Sequence, residues 1–115
     1  MNHPVSVIIP TYNRPNELRR AVSTVANQSY EPREIVIVDD NGEHAEARAE
    51  SYAIAESATI SVRVVEHAGL HGGSASRNAG AAVAKGELLA FLDDDDWWEP
   101  EKLQRQVAAY DSAKR

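Results

Sequence analysis

Two short runs, Val5-Ser6-Val7-Ile8-Ile9 and Glu34-Ile35-Val36-Ile37-Val38, are almost wholly apolar and β-branched, without the polar alternation of a strand that has one wet face. Such strands must be covered on both sides, which confines the chain to a parallel sheet wrapped by helices. The segments between them supply the helices. Pro15 suits a first helical turn, and Leu18, Ala21, Val22, Val25 and Ala26 follow at i, i+3, i+4, i+7 and i+8, predicting a one-faced helix to about Gln28. Pro10 is expected to end the first strand, and Asp39-Asp40-Asn41-Gly42 to turn the chain after the second. Residues 43–57 are rich in Ala and Glu and predict a helix with Ala45, Ala49, Tyr52 and Ala53 on one face. Ile60 to Val65 predicts a third strand and His67 to Gly73 a glycine-bearing loop. Ser74 to Lys85 predicts a small-residue helix closed by Gly86 at its C′ position. Glu87 to Leu92 predicts a fourth strand, and Pro100 opens a last helix that buries Leu103, Val107 and Tyr110.

The order is β-α-β-α-β-α-β-α, an α/β, Rossmann-like, mostly parallel sheet flanked by helices with right-handed crossovers. A chain of 115 residues is expected to be a single domain. No apolar run approaches the ~20 residues of a transmembrane segment, and the first strand begins too early for a secretory leader. With no cysteine there is no disulfide, thiolate nucleophile or sulfur-ligated zinc, a composition that fits the cytoplasm. The 12 basic and 18 acidic residues leave a formal net charge of −6, which argues against nucleic acid and anionic membrane as partners.

In open parallel sheets, ligands bind beyond the carboxyl ends of the strands. Every unusual cluster in the sequence falls there: Thr11-Tyr12-Asn13-Arg14, Asp39-Asp40, the loop around Gly72-Gly73, and Asp93-Asp94-Asp95-Asp96. The four aspartates carry the most information. A like-charge pair at about 4 Å costs on the order of 4 kcal/mol at an effective dielectric near 20, so such a run calls for a cation. Oxygen ligands without sulfur select Mg²⁺, Mn²⁺ or Ca²⁺, and Mg²⁺ or Mn²⁺ commonly complete their shells with substrate phosphates. The bland alternative is a solvated loop that caps the next helix. Arg14 and Arg77 supply positive charge to hold an anion beside that cation, or else pair with nearby carboxylates. Tyr12 either stacks on a base or packs at the rim. Asp40 either accepts a base N–H or closes a turn. His67 and His71 read as ordinary loop histidines, and Trp97 and Trp98 as packing for the sheet edge. No phosphate-binding G-x-x-x-x-G-K-[ST] loop and no Ser-His-Asp set is present.

Val5 to Arg14, Glu34 to Asp40, Ser76-Arg77-Asn78-Ala79-Gly80 and Phe91 to Trp97 together resemble glycosyltransferase family 2, in order and at the expected spacing from about Pro4 to Leu103. The resemblance implies an inverting, GT-A-fold enzyme that uses a nucleotide-diphosphate sugar of UDP, GDP or dTDP type. By the same resemblance Pro10, Thr11 and Tyr12 hold the nucleobase, Asp40 reads it, and Arg77 and Asn78 lie beside the nucleotide. Asp93, Asp94 and Asp95 match the D-x-D region. Asp93 or Asp94 would hold the ribose, and Asp95, with Asp93, the Mn²⁺ or Mg²⁺; four aspartates in a row allow more than one register.

Family members carry a further half that supplies the acceptor pocket and an acidic catalytic base. None of the present residues is named for that role, so the chain is expected to bind donor but to transfer sugar poorly, or to act as a non-catalytic nucleotide-sugar module with a partner. A phospho-acceptor signalling domain fits less well, because Thr11-Tyr12-Asn13 stands where an acidic pair would be needed. An open sheet edge is expected to favour a homodimer.

Overall fold

A computed structural model describes residues 3–67 and 72–114. It contains β1 (Val5–Thr11), α1 (Pro15–Ala26), β2 (Glu34–Asp39), α2 (Ala45–Ser57), β3 (Val62–Glu66), α3 (Gly72–Val83), β4 (Leu88–Phe91) and α4 (Lys102–Ala113). The four strands form one parallel sheet in the order β3-β2-β1-β4. The chain thus builds outward from β1 through β2 to β3, then returns to place β4 on the other side. The strand order reverses between β1 and β4, and that is where a sheet of this kind opens a crevice.

The apolar runs are buried on both faces, as their composition demands. Val7, Ile8, Ile9 and Ile35 through Val38 are fully inaccessible, each aliphatic contributing roughly 1.5–3 kcal/mol over an exposed one. On one face Val7, Ile9, Ile35 and Ile37 pack with Leu18 and Val22 of α1, Ile54 of α2 and Leu103 and Val107 of α4. On the other, Ile8, Val36 and Val38 meet Ala79, Ala81 and Val83 of α3. Among the described residues no helix is long and apolar enough to cross a membrane.

Several expectations are corrected. β1 does not stop at Pro10 but runs to Thr11, with Pro10 opposite Val38. The Ile8 carbonyl bonds to the Leu92 amide on the β4 side, and Pro10, two residues on, faces the same way. β4 has ended there, so the missing Pro10 N–H deprives no partner. α2 buries Ala47, Ser51 and Ile54, and the face through Ala45, Ala49, Tyr52 and Ala53 is exposed. Its single large aliphatic, Ile54, decides the face, and Ser51 tolerates burial by donating to the Ala47 carbonyl. α4 begins at Lys102, after a turn at Pro100.

Gly86 is not the C′ residue of α3, which ends at Val83. Its smallness has another cause: a Cβ there would lie 2.6 Å from the Ser6 amide nitrogen. Gly86 N–H donates to Ser6 Oγ at 2.8 Å, and Ser6 Oγ donates to Glu34 at 2.6 Å. Glu34 also accepts from the Lys85 amide and Arg63. Burial pushes the Glu34 carboxyl up, but these three donors hold it below the ordinary range. This network pins the amino ends of β1, β2 and β4, opposite the rim that carries the clusters.

Candidate functional site

At the carboxyl ends of β1 and β4 the aspartate run divides by direction. Asp94 turns inward and is 6% exposed, whereas Asp93, Asp95 and Asp96 face out. One Asp94 oxygen accepts from Thr11 Oγ1 at 2.9 Å and from the Tyr12 amide at 3.2 Å; the other accepts from Arg14 Nη1 at 3.1 Å. Burial pushes the Asp94 carboxyl above its usual range, against the pull of Thr11, Tyr12 and the Arg14 charge. Asp94 therefore latches the end of β4 to the end of β1 across the switch point.

The outward members converge. Carboxylate oxygens of Asp93, Asp95 and Asp96 lie within 4.8 Å of one another. Arg14 reaches Asp95 at 3.0 Å and Arg77, near the start of α3, reaches Asp93 at 3.3 Å. Three hard oxygen donors at this spacing suit a divalent ion of the Mg²⁺ or Mn²⁺ type. Arg77 thus has a carboxylate partner and a place on the rim together, and Asn78 is exposed beside it on α3.

On the side of β1 away from β4 lies the end of β2. Asp39, fully buried, accepts from the Asn41 amide and side chain and from Arg48 at 3.2 Å. Asn41, itself buried, accepts the Asn13 amide at 2.5 Å and holds the β1 loop, where Asn13 adopts a left-handed φ of 52°. Asp40 follows β2, where Ser76 Oγ donates to one of its oxygens and His67 Nδ1 lies 2.7 Å from the other. His67 thus pairs with Asp40, and His71 falls outside the described residues.

Tyr12 stands on the rim with 53% exposure. Its hydroxyl is 3.1 Å from His44 Nε2 and its ring meets the His44 ring edge-on. The structure brings Thr11, Tyr12, Arg14, Arg77, Asp93, Asp94 and Asp95 to the β1–β4 crevice, with Asp40 on its β2 flank. The contacts of Asn41, His44 and Ser76 with Asn13, Tyr12 and Asp40 were not foreseen from the sequence. The signal for Asn41 was its place in the turn after β2; the motif that holds Ser76 does not name its partner, 36 residues away.

The two tryptophans separate. Trp98 packs into the core, whereas Trp97 is 57% exposed at the edge of the aspartate loop, contrary to the expectation that both pack.

Comparison with known proteins gives a consistent picture. The family model described as "Glycosyl transferase family 2" matches residues 6–115. An uncharacterized glycosyltransferase of Nostoc sp. is 41% identical over 109 residues, covering 95% of this chain and 33% of that protein. The Escherichia coli β-1,3-glucosyltransferase WfgD, which acts from UDP-Glc on α-D-GlcNAc-diphosphoundecaprenol, is 28% identical over 90% of this chain and 40% of its own length. Among solved structures, the mannosyltransferase PcManGT from Pyrobaculum calidifontis, in complex with GDP-Man and Mn²⁺, superposes with a TM-score of 0.80 at 24% identity, over 94% of this chain and 32% of that one. TarS of Staphylococcus aureus, residues 1–349 with UDP-GlcNAc, gives 0.74 at 29% identity over 95% and 31%. The chain spans about a third of the length of the relatives it matches first. With the GT-A-type sheet, the acidic rim and a family match over nearly its whole length, the chain belongs to glycosyl transferase family 2.

Proposed function

We propose that residues 1–115 form the donor-binding half of an inverting glycosyltransferase, taking a nucleotide-diphosphate sugar together with Mn²⁺ or Mg²⁺. The observation that carries this reading is the convergence of Asp93, Asp95 and Asp96 at the β1–β4 switch point. A divalent ion there would supply charge neutralisation for a diphosphate. TarS, at 29% identity, was solved with UDP-GlcNAc, which supports the ligand class. The likeness to PcManGT bears on the fold, so the metal assignment rests on the carboxylates themselves.

In this reading Asp93 and Asp95 hold the ion, with Asp96 able to join them. Asp94 is committed to Thr11, Tyr12 and Arg14, so its part is to fix the loop, and the ribose role falls to Asp93. Arg14 and Arg77 counter the phosphate charge. Tyr12 presents its ring to the base, Pro10 and Thr11 form the floor beneath it, Asp40 accepts a base N–H, and Asn78 lies alongside the nucleotide. A general base must reach the acceptor hydroxyl, and no residue here is assigned to it. The chain by itself therefore binds donor without robust transfer. The cysteine-free composition suits a cytoplasmic setting, and the unpaired outer edge of β4 is where self-association would occur.

Calorimetric titration with UDP-, GDP- and dTDP-sugars, each with Mn²⁺ and with EDTA, tests the reading. Metal-dependent binding of one donor class is expected, and Asp95→Ala removes the metal-dependent part while the fold persists. Binding unaffected by EDTA, or no binding of any donor, overturns it.

A further inference from the structure

The two adjacent tryptophans differ in burial, with Trp97 57% exposed and Trp98 8%. Trp98 fills the core beneath β4, donates its backbone N–H to Thr24 Oγ1 at 3.2 Å and lies 5.5 Å from the Lys102 ammonium. Trp97 instead leaves more than half of its surface open, where an indole face can take a ligand. It borders a hollow of about 350 Å³ that also takes in Arg77, Phe91, Asp93 and Asp96, a size within the range of small-molecule clefts.

The chemistry of this lining is specific. An indole face offers an apolar platform, and the carboxylates and guanidinium around it accept from and donate to hydroxyls. A pyranose ring has that same division: C–H bonds on its face and hydroxyls around its rim. A nucleobase would need a flat slot lined by groups for its polar edge, and the described residues offered for that need, Tyr12 and Asp40, do not line this hollow. The hollow shares Asp93 and Asp96 with the converging carboxylates, so a sugar joined to a diphosphate held there arrives at Trp97.

We infer that Trp97 is the platform for the hexosyl ring of the donor, with Asp96 and Arg77 positioned for its hydroxyls, and that it makes the site favour a sugar nucleotide over the bare nucleoside diphosphate. The inference rests on the donor-binding reading above and goes beyond it by assigning a residue to the sugar. Of the exposed apolar side chains on β4, Phe91 borders the hollow and Leu89 lies outside it.

The test compares UDP with UDP-glucose and UDP-N-acetylglucosamine, and GDP with GDP-mannose, all with Mn²⁺, on the 115-residue chain and its Trp97→Ala and Trp97→Phe variants. Thermal midpoints of the variants check that the exposed position leaves the fold intact. Trp97→Ala is expected to weaken the sugar nucleotide by about three- to tenfold, the worth of one stacking contact, and to leave the nucleoside diphosphate within about twofold; Trp97→Phe retains most of the difference. Equal weakening of both ligands, or weakening of neither, overturns the assignment of Trp97 while leaving donor binding in place. Failure of the unaltered chain to bind either ligand overturns both together.

Discussion

Gly80 sets the distance between α3 and the sheet, and the site depends on that distance. A Cβ added at Gly80 would lie 2.5 Å from Ile8 Cγ2, 2.9 Å from Val38 Cγ2 and 3.3 Å from Ile8 Cγ1. Ile8 and Val38 are fully buried and cannot swing aside. Ordinary contact lies near 3.5–4.0 Å, so Gly80→Ala must lift α3 by roughly 1 Å or force both side chains from their rotamers. Overpacking of this kind costs about 1–3 kcal/mol, while replacing a helical Gly by Ala returns up to about 1 kcal/mol of propensity. The net expectation is a loss of about 1–2 kcal/mol, seen in urea unfolding as a lower midpoint with unchanged slope. The same shift displaces Ser76 from Asp40 and Arg77 from Asp93, one turn upstream, so donor affinity should fall with stability. A Gly80→Ala chain as stable as the parent refutes the steric argument. A destabilised chain with undiminished donor affinity refutes the coupling of α3 to the site.

Asp94 separates the need for an acceptor from the need for a charge. Its oxygen that takes both Thr11 and Tyr12 survives in Asp94→Asn, and Arg14 keeps Asp95 as partner. Denaturation at pH 7 should find that variant within about 1 kcal/mol of the parent, whereas Asp94→Ala, which orphans the Tyr12 amide and Thr11 hydroxyl, loses about 1–3 kcal/mol; equal losses contradict the latch. At the other end of the molecule, His3 has Glu87 2.9 Å from Nδ1 and Asp111 2.6 Å from Nε2. The bonds to Asp111 and then Glu87 raise its pKa above the ordinary 6.5, so the charged ring contributes stability that is complete below that value and is lost as pH rises through the raised one. Thermal midpoints should fall over that interval in the parent and stay flatter in His3→Gln; parallel curves exclude the contribution.

The elements were legible wherever local composition leaves one physical solution. Unalternated β-branched runs require a sheet covered on both faces, the spacing of Leu18, Ala21, Val22 and Val25 requires a one-faced helix, and alternation of the two implies parallel pairing. The rim was legible because chemistry that does not serve the core gathered at the strand ends. The alanine-rich α2 was legible as a helix, but its composition names no buried face, and only the location of the sheet made Ile54 the anchor.

The sequence by itself determined the secondary elements, the parallel sheet and the end of it where the charged clusters gather, since those follow from burial and short-range periodicity. Only the tertiary structure decided that Asp94 turns in while Asp93, Asp95 and Asp96 converge, that Trp98 is core while Trp97 is exposed, that Pro10 lies within a strand, and that Ser76 and His67 meet Asp40. Each of these depends on which strand lies beside which. Neighbours in the chain then face opposite surroundings, and distances across the sheet, not along the chain, set the chemistry.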